Sequence, residues 1–209
     1  MESMIPTNPV HHQRDGVEDS ISWVLGQHHA RRSEGQPQVA FIDIDGVLLD
    51  NAHRLHYICT PTDGDMPIRH DADWDTFHSQ AHLDTPGAFT DMIRVLMTIP
   101  SRVIHPIFIT ARVAIKPETR LEVLEHLSRA LKVQVISQEL ILRAPNPVPK
   151  AASEKPPLFK KRVAEMFLRA NIKVAFAIDD SHANCMEFKG LGIPTLRAYN
   201  HINDGGFKY

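Results

Sequence analysis

From residue 39 onward, short apolar runs alternate with segments whose apolar residues recur every three to four positions. The pattern predicts buried strands over Val39–Ile44, Val103–Ile109, Val174–Ile178 and Pro194–Ala198, with shorter strands at Val133–Ser137 and Leu140–Arg143. Helices are predicted over Leu83–Ile99, Pro117–Leu131, Leu158–Ala170 and around His182–Lys189. Thr85 before Pro86 reads as the first helix's start, with Phe89, Met92, Ile93 and Leu96 as its apolar stripe. Leu121, Leu124, Leu127 and Leu131 form the stripe of the second. The proline-rich stretch Pro145–Pro157 reads as a loop, because proline sustains neither helix nor ladder. Strands that alternate with helices pair in parallel through crossovers. The expected fold is α/β, a Rossmann-like open parallel sheet with helices on both faces.

Residues 1–37 read differently. They hold Pro6, Pro9 and Pro37, the pairs His11-His12 and His28-His29, and few large apolar side chains before Ile21. Asp19 or Ser20 can cap a short helix with Ile21, Val24, Leu25 and His28 on one face. The division expected is a partly flexible N-terminal extension, 1–37, and one α/β domain, 38–209. That domain carries a small cap or lid, about residues 51–83, inserted after the first strand.

Composition narrows the class. In 209 residues, 43% are apolar and 23% charged, which suits one globular domain. Lys plus Arg total 23 against 25 for Asp plus Glu, so bulk charge does not hold this chain on nucleic acid or membrane. Cys59 and Cys185, the two cysteines, rule out a disulfide framework and a thiolate zinc site. No apolar run reaches the roughly 18 residues of a membrane span, and the start MESMIPTNPVHHQRDG lacks the pattern of a signal peptide. A cytoplasmic protein with no membrane contact and no evident stable protein partner is expected.

In open α/β sheets, ligands bind beyond the carboxyl ends of the strands. Here those ends carry Asp43-Ile44-Asp45-Gly46, Thr110-Ala111-Arg112 and Asp179-Asp180. Asp-Gly alone is a common turn signal. Acidic residues at two buried strand ends are a different matter, because converging carboxylates repel unless a cation lies among them. All-oxygen ligands favour Mg²⁺. A carboxylate-held cation beside Thr, Arg and Lys side chains suits a phosphoryl group, which one carboxylate can attack.

FIDIDGVLLD, FITAR, a helix-borne lysine and AIDDSHAN together resemble the four motifs of the haloacid dehalogenase superfamily of phosphohydrolases. The resemblance runs from Val39 to about Ala198. It implies Asp43 as nucleophile, forming an aspartyl-phosphate, and Asp45 as the acid that protonates the leaving oxygen and then the base that activates water. It implies Mg²⁺ held by Asp43, the Asp45 main-chain carbonyl and Asp180, with Asp179 acting through water. Thr110 would bond the phosphoryl oxygens, and Lys160 would offset the negative charge. Lys161 and Lys155 compete with Lys160 for that place.

The second half, LILRAPN and KPPLFKKRVAEMFLRANIKVAFAIDD, resembles the 3′-phosphatase domain of phage polynucleotide kinases. This implies Arg112 and Arg143 as substrate-side arginines. The chain departs from that pattern at Pro156, where an acidic residue usually stands one turn before the lysine. No GxxxxGK[ST] loop occurs, so kinase activity is not expected of this chain.

The lid segment is rich in His, Asp and aromatic residues. Trp74 or Tyr57 can stack a base, and Arg54 can hold phosphate, while the helical spacing of Trp74 and Phe77 favours a role as anchors of the lid. His53 and His56 lack a carboxylate partner and do not read as a zinc site. The reading is a Mg²⁺-dependent phosphatase of nucleotides or polynucleotide 3′-phosphate ends. A phosphatase of some non-nucleotide metabolite and a non-catalytic binding module are the alternatives.

Overall fold

A computed structural model describes residues 15–31, 35–60, 69–99, 103–113, 117–144 and 154–198. The His11-His12 pair and most of the proline-rich loop, residues 145–153, lie outside the described residues.

Five strands form one parallel sheet: β1 (Gln38–Ile42), β4 (Ile104–Val113), β5 (Leu140–Arg143), β6 (Lys173–Asp179) and β7 (Thr195–Arg197), in the spatial order β5-β4-β1-β6-β7. Two further strands, β2 (Leu49–Asp50) and β3 (Thr85–Pro86), pair as a small antiparallel ribbon. Helices α3 (Thr90–Thr98) and α4 (Pro117–Leu131) cover one face of the main sheet. The other face is covered by α1 (Val17–Ala30), α5 (Pro156–Arg169) and α6 (His182–Gly190). This is the expected α/β architecture. Among the described residues, no helix is long and apolar enough to cross a membrane.

Side chains alternate across a strand, and here the alternation feeds two cores. Ala40, Ile42 and Phe108 join the cluster under α3 and α4, while Val39, Phe41, Ile107 and Ile109 join that under α1 and α5. The parity matters at the strand ends, because residues two positions on continue towards the same side.

Several elements differ from the pattern-based expectation. The helix expected from Leu83 begins at Thr90, because Thr85 and Pro86 are drawn into pairing with Asp50 and Leu49. Gly87 N donates to the Leu48 carbonyl at 2.7 Å, and Thr90 Oγ1 donates to the same carbonyl at 2.6 Å. Met92 and Leu121 turn outward from their expected stripes, where Met97 and Val123 are buried instead. Val133–Ser137 is not a strand. Its donors go to side chains: Val135 N to Ser128 Oγ at 3.0 Å and Ile136 N to Glu139 Oε2 at 3.1 Å. Strand β4 runs beyond Ile109 and carries Thr110 and Arg112 within its own length.

The N-terminal helix starts earlier than Asp19, after Gly16 in the left-handed region at φ 88°. A Cβ there would meet the Arg120 guanidinium and the Leu140 carbonyl. Its buried residues are Val17, Ser20 and Val24, whereas Leu25 is exposed. Asp15 ties the segment to the body, its carbonyl accepting from Leu142 N at 3.2 Å and its carboxylate pairing with Arg162 at 3.0 Å.

Between β1 and β4 the chain builds a small subdomain. A 3₁₀ helix, Ala52–Tyr57, packs with α2 (Trp74–Ser79) around Leu55, Ile58, Cys59 and Phe77.

Candidate active site

Val39, Phe41 and Asp43 share a parity, so Asp43 leaves β1 on the side covered by α5. Ala177 and Asp179 do the same from β6. Helix α5 buries Phe159, Val163 and Phe167 against this face, and Lys160 goes down with them to 1% exposure. Its Nζ lies 2.9 Å from Asp43 Oδ2 and 2.6 Å from Asp179 Oδ2. Lys161, one position on, points to the surface and pairs with Glu187 at 2.9 Å. Lys155 flanks the helix start outside this contact.

Asp179 is held from every side. Its Oδ1 accepts from Ser181 N at 3.0 Å and Asn184 Nδ2 at 2.9 Å, while Oδ2 takes the lysine. Asp43 is set by its own neighbour, with Ile44 N donating to Oδ1 at 2.8 Å. Asp180, of opposite parity, completes an acidic trio in which one carboxylate oxygen of each residue lies within 4.8 Å of the others. Gly46 closes over this group with φ 77°, and a Cβ there would collide with the Asp180 carboxylate.

Three carboxylates face one ammonium. Burial first, then the Asp179 charge, pushes the Asp43 carboxyl well above the usual carboxylate range despite Lys160. Burial and Asp179 likewise push Asp180 up to about 7. Burial alone would pull the lysine down, but Asp179 and Asp43 outweigh it and hold Lys160 above its ordinary value. The trio therefore lacks positive charge, and its donors are all carboxylate oxygens. Both facts fit a hard divalent cation.

Asp45 goes elsewhere. Its carboxylate accepts from Arg54 Nη2 at 2.5 Å, and from Arg112 Nε at 2.9 Å and Nη2 at 2.6 Å. Thr110 Oγ1 lies 3.4 Å from Asp45 Oδ2 and accepts from Arg112 N at 3.1 Å. Burial pushes the Asp45 carboxyl up, but Arg112 and Arg54 outweigh it and hold Asp45 far below the usual range. Behind the two arginines stands Asp84. Its carboxylate takes Arg54 Nε and Nη2, both at 2.6 Å, and Arg112 Nη2 at 3.4 Å. Burial pushes Asp84 upward, only partly offset by guanidiniums that Asp45 shares.

Arg54, expected to hold substrate phosphate, faces inward instead. It is 0% exposed, and its nitrogens are used on Asp45, Asp84 and the Phe77 carbonyl, the last at 3.1 Å. Four of its five N–H groups are engaged in these contacts, and the enclosed side chain presents no surface to a ligand. Arg112 lies at the edge of the cluster, and its Nη1 has no hydrogen-bond partner among the described residues. Arg143 ends β5 outside the carboxylate group, its Nη1 donating to the Glu154 carbonyl at 2.9 Å. Phe77 is buried in the small subdomain beneath the Arg54 guanidinium, 4.0 Å from ring centre to Cζ. Trp74 is no anchor, since 43% of it is exposed.

Asp84 falls inside the helix expected over Leu83–Ile99 and is given no role by the sequence pattern, and neither is Asn184, which steadies Asp179. The Leu-Asp-Thr-Pro context of Asp84 reads as a cap, and nothing local reveals an arginine 30 positions away. Asn184 lies three residues after Ser181, the α6 cap, a spacing that signals a helix start and not a ligand.

No family model and no curated protein matches the sequence. Among solved structures, the class C acid phosphatase from Bacillus anthracis with tungstate bound is similar at TM-score 0.50 and 15% identity, over 94% of this chain and 81% of that one. A chain of the Pnkp1/Rnl/Hen1 complex aligns at TM-score 0.49 and 18% identity, over 79% of this chain and 47% of that one. A second structure of that RNA repair complex aligns at 0.45 and 17%, over 79% and 43%. The chain thus spans less than half of the repair-complex chains it matches. At these identities the likeness to the acid phosphatase is one of fold.

Proposed function

We propose that this protein is a Mg²⁺-dependent phosphatase that hydrolyses phosphate monoesters of nucleotides or of polynucleotide 3′ ends. The observation that carries the reading is the division of the strand-end carboxylates into two sets. Asp43, Asp179 and Asp180 gather around Lys160, while Asp45, two residues from Asp43, is gripped by two arginines. A phosphoryl transfer through an aspartyl-phosphate needs both sets: a nucleophile whose neighbouring carboxylates are balanced by Lys160 and a bound cation, and a separate group that moves protons.

Asp43, Asp180 and Asp179 would hold the cation, with the Asp45 main-chain carbonyl beside them. When bound, it supplies positive charge against the phosphate oxygens and the nucleophile. Asp43 attacks phosphorus and the ester P–O bond breaks; Asp45, ionised while both arginines hold it, takes up a proton from solvent once Arg112 has moved to the phosphate and passes it to the leaving oxygen. Water then attacks the aspartyl-phosphate, gives its proton to Asp45, and releases Asp43 and phosphate. Thr110 and Arg112 orient the phosphoryl oxygens, and Arg112 can exchange Asp45 for the incoming phosphate. Arg54, enclosed, stays on Asp45. Lys160 offsets charge on Asp43 throughout. A pure scaffold has no use for such a buried anionic group, which costs folding energy unless compensated.

The test is phosphate release by the purified protein with Mg²⁺, comparing a 3′-phosphorylated oligonucleotide with a set of nucleoside monophosphates, and Asp43→Asn as the blank. Release that vanishes in the variant and on chelation is expected. Equal release by wild type and Asp43→Asn would remove the nucleophile from the scheme.

A further inference from the structure

The lid's short helix is fastened to the catalytic cluster by one side chain. Arg54 spans from Asp45, which its Nη2 meets at 2.5 Å, to the Phe77 carbonyl, 3.1 Å from its Nη1, and its guanidinium also covers the Phe77 ring. Phe77 is 5% exposed and is the fixed point. The residues around it are therefore placed relative to Asp45 and do not float on a loop. Trp74 and His78, four positions apart on one helix face, stack with ring centres 6.0 Å apart and planes 28° from parallel. Phe77 meets both rings edge-on, at 5.8 Å to Trp74 and 5.3 Å to His78.

The direction of this pair is informative. Phe77 meets both rings and lies 4.0 Å beneath the guanidinium that holds Asp45, so the pair stands beside the arginine of the catalytic cluster. Trp74 continues the stack outward, with close to half its surface in water. An indole and an imidazole with near-aligned planes, next to the arginine that holds Asp45, offer an exposed π-surface close to the proposed phosphate site. Aromatic side chains of this kind bind nucleobases by stacking, without regard to base identity, because every base has a π-face.

We infer that the Trp74–His78 pair is a stacking platform for the nucleobase adjoining the phosphate that is removed, so that the lid selects nucleotide esters over esters without an aromatic group. The inference rests on the phosphatase reading and names the specificity determinant of that same site. It also separates the two aromatic residues of the helix: Phe77 fixes the lid, and Trp74 receives the ligand. Base stacking predicts tolerance among the four bases and discrimination against sugar phosphates.

The chain has two tryptophans, and Trp23 lies on α1 against His105, ring centres 5.2 Å apart. In a Trp23→Phe, Asp43→Asn protein with Mg²⁺, Trp74 is therefore the one indole emitter. Saturable fluorescence quenching by adenosine 3′-monophosphate is expected, with none from ribose 5-phosphate or inorganic phosphate. Quenching that is absent, or equal with and without the base, overturns the platform. In the enzyme with Asp43 intact, Trp74→Ala should reduce the preference for adenosine 3′-monophosphate over ribose 5-phosphate, in kcat/KM, by about tenfold or more, and Trp74→Phe should retain most of it. Parallel loss on both esters in Trp74→Ala also overturns it. Base-dependent quenching in that variant, together with no hydrolysis of any ester by the protein with Asp43 intact, upholds the platform and sinks the phosphatase reading instead.

Discussion

Arg54 and Asp84 face each other in the interior as a two-pronged ion pair, both contacts at 2.6 Å, with neither side chain exposed. Removing one partner of such a pair strands the other charge out of water, which costs about 3–5 kcal/mol. Asp84→Ala should therefore lower unfolding stability by roughly 3 kcal/mol or more, read as the midpoint shift in urea. The proposed phosphatase activity should fall with it, because Asp45 loses its oriented partner. The double variant Arg54→Met, Asp84→Leu should recover most of the stability and none of the activity. A double variant with near-normal turnover would show that Arg54 has no part in positioning Asp45.

The two adjacent lysines of α5 give a sharp contrast. Lys160 is buried between Asp43 and Asp179, whereas Lys161 makes a surface pair with Glu187. Exposed pairs contribute from nothing to about 1 kcal/mol. Lys161→Ala should leave turnover and melting temperature near wild type. Lys160→Ala should lose at least two orders of magnitude in turnover, the scale of losing one charge-stabilising group in a site. Similar phosphate release from the two variants would contradict the assignment.

The fold was legible because parallel strands buried on both faces read as apolar runs, and helices between them keep their own period. The strand ends were legible for the same reason: once Val39, Phe41 and Ala177 are inward, Asp43 and Asp179 follow by parity. What stayed hidden depends on partners distant in sequence. Asp84 is defined by Arg54, and Val135 leaves the ladder because Ser128 Oγ takes its N–H. Arg54 misled for a related reason. An arginine among histidines and aromatics on a polar segment suggests a surface, but two buried carboxylates draw it in.

Gly46 tests how tightly the acidic trio is drawn. Its φ of 77° disfavours any side chain, and a Cβ would collide with the Asp180 carboxylate. Gly46→Ala should destabilise by about 1 kcal/mol or more from backbone strain, and it should raise the Mg²⁺ concentration needed for half-maximal phosphate release by displacing Asp180. Unchanged Mg²⁺ dependence would mean that the Asp180 position is not set by this turn.

The acidic trio makes stability depend jointly on pH and cation. Asp180 titrates near 7 in the folded, cation-free protein, and Asp43 also lies above the ordinary value near 4. A carboxyl with a raised folded pKa binds its proton more tightly in the folded state. Its contribution to stability is complete below about pH 4 and is lost as pH rises through about 7. His78 and His126, both held below their usual range by burial, act oppositely, gaining stability as pH rises. The informative quantity is thus the difference between wild type and Asp180→Asn. Without cation, the wild-type melting temperature should fall relative to the variant between pH 5 and pH 8. Saturating Mg²⁺ should raise wild type at pH 8 by several degrees and far less at pH 5, because protonated carboxyls do not bind it. In Asp180→Asn both the pH slope and the Mg²⁺ response should shrink together. A melting temperature that ignores Mg²⁺ at pH 8 would leave the trio without a cation, and the proposed phosphatase mechanism without its charge balance.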